Sequence, residues 1–178
     1  RRRADADAGV VAPGGDHFDL IAVHRYRIDP AQEMAERGGC DYIAFECLAA
    51  PTIARENLTR LKDPDKGYTP YLAERFQAVL PACMRNGVRI VTNMGAANPV
   101  GAARAVQREA RTLGLGDIPV AVVLGDDVSE QVRAHPELPL LESGEPVESI
   151  LPRMAAANAY LGADLVRDAL ATGAPVVM

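Results

Sequence analysis

Tryptophan is absent from this chain, aromatic residues make up 4% of it, and Lys62 and Lys66 are its only lysines. Apart from Arg1 to Arg3, no basic cluster interleaves with aromatics, and the 19 basic residues are outnumbered by 24 acidic ones, for a net charge of -5 and a pI of about 5.2. That balance argues against nucleic acid as a partner. Long apolar runs are also missing. The longest, such as Tyr42 to Phe45 and Val120 to Leu124, fall far short of the roughly 18 residues that cross a bilayer, so no membrane span or signal segment is expected. Cysteine is sparse and odd in number: Cys40, Cys47 and Cys83 lack CxxC spacing, which suits a reducing, cytoplasmic compartment. His17, His24 and His135 form no HxH or HxxxH pair, so the sequence encodes no local metal site. Neither GxGxxG nor GxxxxGK[ST] occurs, and no motif assigns a cofactor.

What is present is an ordinary globular composition, 48% hydrophobic and 24% charged with a mean hydropathy of -0.03, in 178 residues, the length of one domain. Residues 1–16 are polar and without hydrophobic period, and read as a disordered or non-native leader. From His17 the text becomes regular. Strands are predicted at Phe18 to Val23, Asp41 to Leu48, Val88 to Thr92, Pro119 to Leu124 and Ala174 to Met178. Helices are predicted after Asp29, whose capping-box partner is Gln32, over Thr52 to Leu61, from Leu72 to Asn86, from Pro99 to about Leu113 and from Pro152 to Ala171. Asp127 and Glu130 suggest another capping box. Short buried strands alternating with helices imply an α/β fold, a largely parallel sheet flanked by helices. The text stops inside a strand, so 17–178 reads as a partial α/β domain.

Ligands of open parallel sheets sit beyond the carboxyl ends of the strands, which directs attention to the polar residues there. Thr92 to Pro99 (TNMGAANP) delivers two amides and a glycine to a helix N-terminus, where an anion such as phosphate or carboxylate could bind at Asn93, Gly95 and Asn98. The competing reading is a tight turn at Gly95 and a simple cap at Asn98, which leaves Asn93 unexplained. Glu46 reads either as a partly buried carboxylate suited to general acid or base work, or as an exposed strand-end residue paired with an arginine such as Arg27. Asp126 offers a carboxylate for a hydroxyl or a cation, against a plain turn role, and Asn158 is a polar group in an alanine-rich run that needs a partner.

Several runs in order, namely Arg27-Ile28-Asp29-Pro30, Asp41 to Ala49 (DYIAFECLA), Val88 to Asn98 (VRIVTNMGAAN), Gly125-Asp126-Asp127-Val128 and Ala157 to Ala163 (ANAYLGA), resemble the N-terminal domain of the acyclic terpene utilisation (AtuA-type) proteins. The resemblance implies a bacterial role in the catabolism of acyclic terpenes such as citronellol and geraniol, through acyl-CoA intermediates. It implies a small acyl or acyl-CoA substrate; the positions of the polar residues, beside it, make Glu46 and Asp126 candidate catalytic groups and Asn93, Gly95, Asn98, Arg27 and Asn158 candidate ligand contacts. Two departures stand out. The place of the family's opening glycine-rich strand and loop reads Phe18 to Tyr26 without glycine, and the family domain continues beyond a strand like Ala174 to Met178. The alternative is therefore a non-catalytic, truncated α/β fragment that folds by pairing with a missing segment, a second copy or a partner subunit.

Overall fold

The computed structural model describes residues 28–37 and 39–178; the leader, the strand expected at Phe18 to Val23 and Arg27 lie outside them. The elements follow in the order α1 (Asp29–Arg37), β1 (Tyr42–Phe45), α2 (Ala50–Lys62), α3 (Leu72–Asn86), β2 (Arg89–Thr92), α4 (Pro99–Thr112), β3 (Val120–Ala121), α5 (Ser129–Ala134), α6 (Ala163–Ala171) and β4 (Val176–Val177). Single 3-10 turns occur at Val147–Ser149 and Leu151–Arg153. The strands form one sheet in the order β1-β2-β4-β3, and every pairing is parallel. The α/β class is therefore as expected.

The core follows from helix period and strand burial. Leu72, Phe76, Val79, Leu80 and Cys83, spaced at three and four residues along α3, are all at most 1% exposed. They meet Ile43 and Phe45 of β1, Ile90 of β2, and Ala102 and Val106 of α4 in one cluster. Gly87 ends α3 in the left-handed region at φ +71°, a conformation open to glycine without a Cβ penalty. Asn98 caps α4 as expected, its Oδ1 accepting from the Gly101 N–H at 3.0 Å, with Pro99 at the first helical position.

Three local expectations are corrected. The strand read over Asp41 to Leu48 ends at Phe45, because the Cys47 N–H donates to Asn93 Oδ1 and the Leu48 N–H to Glu46 Oε1 instead of joining a ladder. In α2 the leucines turn to solvent, Leu58 and Leu61 being 50% and 69% exposed, while Glu56 and Asn57 are buried. The capping box read at Asp127 and Glu130 does not form. Gln32 donates forward to Glu36, and Asp127 Oδ1 accepts from the Ser129 N–H ahead of α5. The long helix read from Pro152 begins only at Ala163. Before it, the Ala159 N–H donates to Asp126 O and the Val128 N–H to Ala157 O, so tertiary hydrogen bonds override the helix propensity of the alanine run.

Candidate functional site

The ends of β1 and β2 are tied together by one side chain. Asn93 follows β2, its Oδ1 accepts from the Cys47 N–H at 2.8 Å, and its Nδ2 donates to Glu46 Oε1 at 3.0 Å. Thr92, buried just before it, donates through Oγ1 to Phe45 O and accepts from the Met94 N–H. The amide of Asn93 is thus a fixed bracket between two parallel strand ends, which explains the residue that capping did not. The turn continues through Ala96 at φ +45°, where a non-glycine residue in the left-handed region stores strain at a site of interest.

A second bracket rises from the loop after β3. Asn158 Nδ2 donates to Asp126 Oδ2 at 3.0 Å, and Asn57 of α2 donates to Asn158 Oδ1 at 3.1 Å. An antiparallel bridge between Asp127 and Asn158 holds the two segments in register. Asp127 itself is committed to the loop: its hydrogen bonds from the Ser129 hydroxyl and N–H, helped by the positive charge of Arg60, hold its carboxyl below the usual range against a smaller effect of burial.

Between these brackets lies a cleft of about 570 Å³. Leu48, Ile53, Ala54, Leu58, Ala156 and Leu161 give it apolar walls, and Asn57, Asn93, Asp126 and Asn158 supply its polar groups. A neighbouring cleft of about 350 Å³ shares Leu48, Asn93, Asp126 and Leu161, and adds Glu46 and Gly95. Size and composition are those of a small-molecule site: mostly apolar, with a few convergent polar groups.

Of the residues singled out in the sequence, Glu46, Asn93, Gly95, Asp126 and Asn158 line these two clefts. Glu46 is exposed, so the partly buried carboxylate is corrected to a surface group bonded to Leu48 N–H and Asn93. Gly95 is required by packing: a Cβ there would come within 2.7 Å of Pro99 Cα and 2.9 Å of Met178 Cγ. Asn98 lines neither cleft. Besides capping α4, it donates to Pro64 O and Lys66 O. The loop N–H groups of Ala96, Ala97 and Asn98 are taken by Asn93 O, Gly67 O and Gly95 O, which leaves few of them for an anion. Asn57 and the buried Arg75 were not singled out in the sequence; Asn57 sits at a helical position where only its buried surroundings betray a role.

Cys47 is half-buried, and burial pushes its thiol up against the opposing pull of the Arg75 guanidinium, with the charge of Glu46 adding to the rise. Among the described residues no cluster of three His, Cys, Asp or Glu side chains converges on a point that could hold a metal ion, and no helix is long and apolar enough to cross a membrane.

No curated protein and no solved structure matches the chain. The family model described as acyclic terpene utilisation family protein AtuA matches residues 21–178, a span that includes every residue the structure describes. The chain belongs to the acyclic terpene utilisation family.

Proposed function

We propose that the larger cleft holds the branched hydrocarbon part of an acyl or acyl-CoA substrate in acyclic terpene breakdown, with Asn93, Asp126 and Asn158 orienting its carbonyl or hydroxyl end. The observation that carries this reading is the cleft itself, an apolar trough on which Asn57, Asn93, Asp126 and Asn158 converge. Methyl-branched chains offer little but apolar area, and walls of leucine, isoleucine and alanine match that chemistry. Asp126 and the exposed Glu46 are the groups placed to exchange protons with a ligand, Asp126 beside Asn158 and Glu46 beside Asn93.

Thermal unfolding of the chain alone and with CoA, a short branched acyl-CoA and geranyl-CoA tests the reading. A ligand at 100 times its Kd adds about 2.7 kcal/mol of stability. Stabilisation by geranyl-CoA beyond that by CoA is expected; no difference between the two would refute occupation by the hydrocarbon.

A second reading rests on the exposed apolar surface beside the cleft. Tyr160 is fully exposed, Leu161 and Leu165 are 38% and 42% exposed, and α6 buries none of its residues. On this reading the chain is a non-catalytic unit completed by another segment, a second copy or a partner subunit, and concentration-dependent association without ligand response supports it.

A further inference from the structure

Arg75 projects from the first turns of α3 and is 5% exposed. Its Nη1 approaches Cys47 Sγ at 2.7 Å and Met94 Sδ at 3.7 Å, and among the described residues no oxygen accepts from the guanidinium. Thiols and thioethers are weak acceptors, whereas a guanidinium carries five donors in a planar fork. A buried cation without an anion is costly and calls for an explanation. Cys47 does not supply the charge: burial holds its thiol above the ordinary range, so it stays protonated at neutral pH. Glu46, its neighbour in sequence, spends Oε1 on Leu48 and Asn93. The buried Glu56 is already paired with the exposed Arg55.

We propose that Arg75 is a receptor for a carboxylate ligand, gripped beside Cys47 through Nε and Nη2, which have no partner among the described residues. The flat fork matches the two oxygens of a carboxylate in a way that a point charge does not. Glu46 and Leu48 line the clefts, while Cys47 between them turns to Arg75 on α3; the half-buried thiol marks the approach from solvent. The assignment stands on Arg75 and does not require the cleft to hold the rest of the ligand.

The test uses the full chain with 3-methylbutanoate and, separately, inorganic phosphate. Two quantities are read: the thermal midpoint, and the rate of Cys47 alkylation by iodoacetamide followed on its own peptide. The carboxylate is expected to raise the midpoint and slow alkylation severalfold, with phosphate weaker in both. Arg75→Met is expected to abolish both responses while leaving the ligand-free midpoint unchanged or higher, since it replaces a buried unpaired charge with an apolar chain. Arg75→Lys keeps the charge without the fork and is expected to respond weakly. Equal responses in wild type and Arg75→Met, no response of the wild type, or phosphate acting as strongly as carboxylate would each overturn the assignment. If Arg75→Met does not fold, protection of Cys47 in the wild type decides alone. With longer methyl-branched carboxylates added to the series, a response that does not grow with chain length leaves Arg75 standing and removes the cleft reading; chain-length dependence that survives in Arg75→Met does the reverse.

Discussion

Asn93 joins two strand ends with a single amide, so its removal should be felt twice. Asn93→Ala leaves the Cys47 N–H without its acceptor and frees Glu46 from its donor. Loss of about 1–3 kcal/mol is expected from denaturant unfolding, together with loss of ligand-induced stabilisation. Cys83 gives a second prediction at this scale. Its thiol is buried in the core beside Cys40 and is pushed up to about 12 from 9.0, chiefly by burial. The folded pKa lies above the unfolded one, so the contribution is complete below pH 9.0 and is lost as pH rises from there towards about 12. Cys83→Ala is expected to flatten the alkaline fall in stability over that window, even though the cavity lowers its stability at neutral pH. Residue chemistry was legible in the sequence where a role was left over: Asn93 stood out because a cap at Asn98 could not account for it. The sequence leaves Glu46 open between a partly buried and an exposed carboxylate, because its burial depends on where β1 ends, and that depends on Asn93, 47 residues away.

Among the elements, α4 is the one most fully written into its own text. Asn98 and Pro99 announce its start, and the structure has the Asn98 cap on the Gly101 N–H. Asn98→Ala is expected to cost about 1 kcal/mol through the cap, with more from the lost bonds to Pro64 O and Lys66 O, and to leave ligand response intact. A fall in ligand response as large as that of Asn93→Ala would move Asn98 into the site. By contrast, α2 was legible as a helix but not in its orientation. Its leucines look outward because its inward face carries Asn57 to Asn158 and a Glu56 already neutralised by Arg55. The alanine run before α6 reads as helix on local propensity alone. Its N–H groups are instead claimed by the loop after β3, a contact across some thirty residues that no local pattern records.

At the scale of the molecule, the alternation of short buried strands and helices sufficed for a parallel α/β sheet, because each strand must bury apolar side chains and each crossover needs a covering element. The strand order was not legible. That β4 inserts between β2 and β3 follows from Val176 and Val177 pairing on both sides, the Met178 N–H donating to Ala121 O towards β3 and the Ile90 N–H to Pro175 O towards β2. This insertion brings Asn93 and Asp126, from strands that are not neighbours, to one cleft. The central claim is that the cleft takes a branched hydrocarbon chain. Calorimetric titration with a series of methyl-branched carboxylic acids of increasing length tests it most directly. Each added CH₂ that enters the trough should tighten binding by about 0.8 kcal/mol until the cleft is filled, with a negative heat-capacity change growing in step. Affinity that stays flat as the chain lengthens would contradict the account.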